Sequence, residues 1–261
     1  MKLNILDLAH KFVQERLKDE REVVGVLLRG SSVIGIRDEF VDLDFDLVVT
    51  SRFLEDAQPT SEATCFEGVE ACWGYKSLEV IKTELQDWLR DTDLWAYSTA
   101  KIMHDPSGKL EALLSRYKQY PESVRLEKMF SYFYHATAAS PYNSDRAIHR
   151  HDYLTAQLFL ANAAELYTAL LYLANKSFIP YRKWRIRQLD TLPRKADGYI
   201  QKISKVLFGE GSPKKEGLRE KQAIIMQMMN EVRAILIQEG VDPRKLADDL
   251  WRYELKYLPS I

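Results

Sequence analysis

The chain has 261 residues, of which 46% are hydrophobic and 29% charged, and its formal net charge is −1. This composition excludes a disordered chain and predicts a globular protein with a substantial core. The balanced charge gives no sign of nucleic acid as a main partner, and two cysteines are too few for a disulfide framework. We therefore expect a protein of the reducing cytoplasm.

The first hundred residues predict a small domain with a mixed sheet. Apolar residues on one face of the first segment, with charges opposite, indicate an amphipathic helix rather than a signal peptide. Ser31 or Ser32 can cap a helical turn after the first strand, and residues 54–62 form a loop. The predicted order is helix, strand, helical turn, three strands and helix, at residues 3–20, 22–28, 33–36, 42–49, 64–73, 77–82 and from 83 onward.

The rest of the sequence shows only helical periods, separated by prolines and glycines. Its longest predicted helix covers residues 145–174, with Ser144 as the N-cap. Polar residues interrupt its apolar second half, which favours a buried helix in a bundle over a membrane span. We place a domain boundary near residue 106 and predict an α+β protein, with the mixed sheet in residues 1–106 and an all-α helical bundle in residues 107–261.

The densest chemical pattern surrounds the second strand. Asp42, Asp44 and Asp46, here called the aspartate row, alternate with hydrophobic residues and so share one face of the strand. Neighbouring carboxylates repel one another unless solvent or a divalent cation offsets their charge. Upstream, Gly30 lets the backbone approach a ligand, and Ser31 with the following N–H groups suits a phosphate. Phosphate beside carboxylates requires a cation, which indicates Mg²⁺.

These residues resemble the signature of the polymerase-beta-like nucleotidyltransferase superfamily. Gly30-Ser31 is followed by ten intervening residues and then by Asp42-Leu43-Asp44-Phe45. The wider stretch is similar to small bacterial members, including aminoglycoside nucleotidyltransferases, in which a minimal mixed sheet with flanking helices often precedes a helical acceptor-binding domain. The resemblance implies that Gly30 and Ser31 bind the nucleotide phosphates and that Asp42 and Asp44 ligate Mg²⁺.

The sequence departs from the family pattern at one position and offers an alternative pair. Val41 stands where members often carry serine, and Asp44 with Asp46 also satisfies the spacing. We prefer Asp42 and Asp44, because Gly35 then falls where members usually carry a glycine. Asp46 would take a supporting role deeper along the strand.

The resemblance also implies a third carboxylate on a later strand, as a metal ligand or as the general base. Glu79, flanked by apolar residues on the strand predicted at 77–82, is the first candidate for this catalytic role, and Glu70 is its competitor. In the helical half, Lys183 or Arg182 is a weaker candidate for binding substrate. Glu165, in an apolar setting, should pair with one of these bases or line the cleft between the domains.

The resemblance implies an enzyme that transfers a nucleoside monophosphate, AMP from ATP, to a hydroxyl group of an aminoglycoside-like or other small molecule. The expected partners are ATP or another nucleoside triphosphate, Mg²⁺ and this acceptor, in a cleft between the domains, with neither membrane nor nucleic acid. A homodimer is compatible with this interpretation. The alternative is a non-catalytic nucleotide-binding or antitoxin-like regulatory module with the same fold.

Overall fold

A computed structural model describes residues 4–18, 22–35, 40–58, 60–195, 198–209, 214–247 and 250–259, without the side chains of Asp87 and Leu250. The chain folds as two compact units, residues 1–118 and 119–261. The first combines a sheet with helices, and the described part of the second contains helices and no strand. The predicted α+β class is therefore confirmed.

Five strands of the first unit form one mixed sheet. They are β1 (Val23–Arg29), β2 (Leu43–Val49), β3 (Glu62–Phe66), β4 (Val69–Lys76) and β5 (Lys101–His104). Their spatial order is β3-β4-β2-β1-β5, which places β2 at the centre. The central strand runs antiparallel to β1 and parallel to β4, while β3 and β5 form antiparallel edges.

The helices of the first unit are α1 (Ile5–Phe12), α2 (Ser51–Ala57), α3 (Leu78–Leu85), α4 (Asp91–Thr99) and α5 (Lys109–Leu114). Apolar residues of α1 cover one face of the sheet, and Phe12 is the centre of this core. Its ring centroid lies 5.5 Å from that of Phe45, 5.0 Å from Phe66 and 5.7 Å from Trp73. Because side chains alternate along β2, burying Phe45 here directs Asp44 and Asp46 to the opposite face.

The strand predicted at residues 77–82 is wrong. The side chain of Ser77 accepts a hydrogen bond from the backbone N–H of Val80 at 3.2 Å, so it caps α3 and ends the extended chain. Glu79 therefore lies in the first turn of a helix.

The strand predicted at residues 64–73 is two strands joined by a turn. Glu67 and Gly68 both adopt positive φ angles, 50° and 83°, and turn the chain from β3 into β4. Upstream, residues 31–35 form turns rather than the expected helical turn, and Ile36 lies outside the described residues. The loop predicted at 54–62 begins within α2.

The second unit contains α6 (Glu122–Thr137), α7 (Ser144–His149), α8 (Tyr153–Ala174), α9 (Arg182–Gln188), α10 (Tyr199–Leu207) and α11 (Lys215–Gln238). The central helix is α8, which contacts the other five. The single helix predicted over 145–174 is broken, because Asp152 caps α8 by accepting from the N–H of Thr155 at 3.2 Å. Within the described residues, no helix has the length and apolar character that a membrane span requires.

Candidate active site

The register of the sheet defines the neighbours of the aspartate row. Asp44 lies beside Arg29 of β1 and Cys72 of β4, and Asp46 lies two residues further along the same face. Asp42 immediately precedes the strand and is half-buried. The exposed end of this face therefore presents Asp42 and Asp44.

Gly30 lies against the carboxylate of Asp44. Its φ is +83°, and a Cβ atom at this position would lie only 2.5 Å from Oδ2 of Asp44. The hydroxyl of Ser31, which is 7% exposed, donates a hydrogen bond to Oδ1 of Asp42 at 3.3 Å. The structure thus brings Gly30, Ser31, Asp42 and Asp44 together. A side chain at position 30 would have to adopt a positive φ and displace the carboxylate of Asp44, which explains the glycine.

A third carboxylate, Glu70, belongs to the same group. In the parallel pairing of β2 with β4, Leu43 lies opposite Ala71, so one step back along both chains places Glu70 beside Asp42. Burial raises the pKa of the Cys72 thiol, and the negative charges of Glu70, Asp44 and Asp42 raise it further. Glu70, which is exposed, therefore lies on a later strand beside Asp42.

Glu79 does not join this group. Its Oε2 accepts a hydrogen bond from the hydroxyl of Ser51 at 2.6 Å, and this bond lowers the pKa of Glu79. Asp44 lies near the amino end of β2, and Ser51 follows its carboxyl end. Since an extended chain rises about 3.3 Å per residue, these two residues are about 20 Å apart. Glu79 was expected on a strand, whereas Leu78–Leu85 forms a helix. The turn at Gly68, after which β4 carries Glu70, is a local signal that could have favoured Glu70.

Asp46 has a different environment. It is 2% exposed, and Nη2 of Arg29 donates to its Oδ1 at 2.7 Å. Burial raises the pKa of Asp46, although the charges of Arg29 and Lys76 oppose this shift. Nearby, Lys76 donates to Oε2 of Glu84 at 2.6 Å and to the hydroxyl of Tyr97 at 2.9 Å. These five residues form a group of charges neutralised within the protein, here called the buried charge network.

The weaker candidate for substrate binding lies in the second unit. Lys183 is exposed on α9, with its Nζ 5.3 Å from the centroid of the Trp184 ring. Glu165 of α8 pairs with Arg182 at 2.6 Å and with Arg185 at 3.1 Å. The predicted pairing of Glu165 with a neighbouring base is therefore confirmed, while binding of substrate by Lys183 stays a prediction.

The oxygen atoms of Asp42 and Asp44 are ligands that suit Mg²⁺. Across the described ranges, no three side chains of His, Cys, Asp or Glu are arranged to hold a metal ion by themselves. Mg²⁺ usually binds proteins through one or two carboxylates and keeps water and substrate phosphates as its other ligands. The residues present therefore fit a cation that binds together with a nucleotide.

One of the comparisons with known proteins identifies the type of fold. A sequence-family model described as a domain of unknown function, DUF4037, matches residues 88–185. No curated protein matches the chain. Among solved structures, a nucleotidyltransferase-like protein from Exiguobacterium sibiricum 255-15 is similar with a TM-score of 0.51 and 12% identity, over 94% of this chain and 80% of that one. These matches support no narrower similarity to aminoglycoside enzymes. The chain has a nucleotidyltransferase-like fold.

Proposed function

We propose that the protein is a Mg²⁺-dependent nucleotidyltransferase that transfers AMP from ATP to a hydroxyl group of a small molecule. The observation that carries this proposal is the close approach of Gly30 to Asp44, with Ser31 bonded to Asp42. A backbone that can approach phosphate and a pair of carboxylates that can bind a cation occupy the same end of one sheet. The nucleotidyltransferase-like fold supports the same conclusion.

Each residue of the group has a distinct role in this reaction. The backbone of Gly30 and the hydroxyl of Ser31 would hold the phosphates of the nucleotide, and Asp42 and Asp44 would hold Mg²⁺. When bound, Mg²⁺ supplies charge neutralisation for the phosphate oxygens. Holding the nucleotide and the acceptor hydroxyl in line would lower the entropic part of the barrier.

Glu70 is the proposed general base in place of Glu79. Its carboxylate would accept the proton of the acceptor hydroxyl as that oxygen forms a bond to the α-phosphorus and pyrophosphate leaves. Exposure of Glu70 suits this role, because the acceptor must reach it from solvent. Glu79, bonded to Ser51 beyond the other end of β2, would have no part in the reaction.

Pyrophosphate release measures this activity directly. The protein would be incubated with Mg²⁺, each nucleoside triphosphate in turn, and a panel of hydroxyl-bearing acceptors that includes aminoglycosides. Pyrophosphate release that requires both Mg²⁺ and an acceptor, and that Asp44→Asn abolishes, is the expected result. If neither ATP nor another nucleoside triphosphate binds in the presence of Mg²⁺, the proposal is wrong.

A second candidate function is a nucleotide-binding regulatory module. The Gly30 turn, with Asp44 beside it and Ser31 bonded to Asp42, would serve nucleotide binding alone as well as transfer. This candidate predicts saturable binding of a nucleotide with Mg²⁺ and no pyrophosphate release with any acceptor. Binding and turnover measured on the same preparation therefore separate the two functions.

A further inference from the structure

Three helices of the second unit surround a hollow to which the proposed nucleotidyl transfer assigns no role. Its volume is about 220 Å³, and α8, α9 and α10 line it. Most of the wall is apolar and consists of Ala161, Ala164, Ile186, Ile203 and Leu207. The two alanines of α8 leave the space that larger side chains would fill, so the interior suits a hydrocarbon group.

Charged groups lie at the polar part of this hollow. Glu165 and two arginines, Arg182 and Arg185, line it, and both arginines pair with the one carboxylate. Arg185 is only 4% exposed, and its Nη2 also donates to the carbonyl of Pro180 at 3.4 Å. Its buried Nε has no hydrogen-bond acceptor among the residues that the structure describes. These side chains therefore carry one net positive charge and a buried donor that lacks an acceptor, which is rare in proteins.

We propose that this hollow binds a small organic acid, with its hydrocarbon body between α8, α9 and α10 and its carboxylate at the arginines. The apolar wall favours a hydrocarbon body. The net charge and the unsatisfied Nε of Arg185 favour an anionic acceptor, because charge-assisted hydrogen bonds are the stronger ones. A cavity of roughly 150 Å³ holds benzene, so this larger one suits an acid with one ring or a chain of about six to eight carbons. The proposal does not depend on nucleotidyl transfer.

The surface beside the hollow extends its apolar character. Leu154 and Leu158 are 71% and 70% exposed, and they share the face of α8 that carries Ala161 and Glu165. A linear chain longer than the hollow would lie along these leucines. Affinity should therefore rise with chain length from butyrate to octanoate, by roughly three- to fourfold per buried methylene.

Isothermal titration calorimetry on the whole chain tests the ligand class. The probes are butyrate, hexanoate, octanoate and phenylacetate, each compared with its neutral amide. We expect saturable binding of the acids, with octanoate at least about tenfold tighter than octanamide, because an ionised acceptor forms the stronger bonds. Equal affinity for acid and amide, or no binding of any acid, would overturn the proposal.

Two variants locate the binding. Ala161→Leu places a larger side chain in the hollow and should weaken octanoate binding at least about tenfold. Ala223→Leu, the same change at an exposed position of α11, is the matched control and should bind octanoate like the wild type. A folded Ala161→Leu protein with wild-type affinity would place the ligand elsewhere and overturn the proposal.

Arg182→Gln tests the proposal without changing the packing of the core, since the Arg182 side chain is 77% exposed. It removes one positive charge from the hollow, so octanoate binding should weaken several-fold while octanamide binding stays unchanged. This variant decides the matter even if Ala161→Leu fails to fold, as judged by circular dichroism. An equal loss for the acid and the amide would contradict a carboxylate at the arginines.

Discussion

The two ends of the aspartate row show how one residue type on one face of a strand takes different roles. Asp42 and Asp44 lie beside the Gly30 turn, and the hydroxyl of Ser31 donates to Asp42. Asp46, two residues further along β2, is almost fully buried and accepts a hydrogen bond from Arg29. The three aspartates are equally spaced along the chain, so the neighbouring strands and helices determine which of them is buried and which is accessible.

This difference determines which end can bind a ligand. At the buried end, Arg29 and Lys76 oppose the charges of Asp46 and Glu84 within the protein. At the exposed end, Asp42, Asp44 and Glu70 combine their negative charges around Cys72. Repulsion between carboxylates is relieved when a cation binds, so the exposed end is the one at which we propose that Mg²⁺ and nucleotide bind.

The largest expected effect concerns the third carboxylate. Glu70→Gln should lower the rate of pyrophosphate release by about 10²–10⁴-fold, because it removes the proposed base without changing the size of the side chain. Glu79→Gln removes a carboxylate that binds Ser51 instead and should change the rate by no more than about twofold. The reverse ranking of the two variants would return the catalytic role to Glu79.

Along the aspartate row, Asp46 should contribute more to stability than Asp44, although Asp44 is the residue proposed to act in the reaction. Asp46→Asn removes the carboxylate that accepts from Arg29 and should lower the free energy of unfolding by about 2 kcal/mol, because Arg29 is 21% exposed and the burial that raises the pKa of Asp46 offsets part of the ion pair. Asp44→Asn, the control, relieves repulsion between carboxylates and should change it by less than about 1 kcal/mol. Urea denaturation measures both. If Asp44→Asn is the more damaging, the two ends of the row have been assigned the wrong roles.

Local patterns in the sequence were enough to predict that Asp42 and Asp44 lie beside the turn at Gly30 and Ser31. Alternation at a period of two placed Asp42 and Asp44 on one face, and Gly30-Ser31 after a buried strand indicated the neighbouring turn. Such signals depend only on residues close in the chain. The α+β class followed from the same kind of pattern, since helical periods replace strand patterns in the second half.

The rest of the site depends on how distant segments pair, which local patterns do not contain. Glu70 reaches Asp42 only because β4 runs parallel to β2 in a particular register. Arg29 and Asp46 are likewise joined by the pairing of two strands. Two local signals could have helped: Gly68 as the turn residue of the hairpin, and Ser77 as the cap of α3.

A glycine comparison tests the contact at the exposed end. Gly30→Ala and Gly68→Ala both force alanine to a φ of +83°, which costs about 1–2 kcal/mol. Only at Gly30 would the new Cβ lie 2.5 Å from Asp44, whereas nothing lies within 4 Å of it at Gly68. Urea denaturation should show Gly30→Ala to be less stable than Gly68→Ala by about a further 1 kcal/mol, for overpacking. Only Gly30→Ala should weaken the binding of ATP in the presence of Mg²⁺. Equal losses of stability and equal ATP affinities would mean that Gly30 serves the backbone alone.

The smallest effect tests whether the buried charge network neutralises itself. Burial opposes ionisation of Glu84, but hydrogen bonds from Lys76 and Tyr97 outweigh it and lower the pKa of Glu84 below the ordinary 4.5. An acid with a lowered pKa stabilises the fold fully above its unfolded pKa and loses this contribution as pH falls through the folded value. Glu84→Gln should therefore be about 1 kcal/mol less stable than the wild type at pH 7, with the difference constant down to about pH 5 and shrinking below pH 4.5.

Urea denaturation of both proteins between pH 3 and pH 7 measures this difference. Ser51 and Glu79 provide the control, because Glu79→Gln removes an exposed carboxylate outside the network and should change stability by less than about 0.5 kcal/mol at pH 7. A difference for Glu84→Gln that grows as pH falls would mean that the cations around Glu84 do not favour its charged form. The contrast between a buried end that neutralises its own charge and an exposed end that needs a cation would then lose its physical basis.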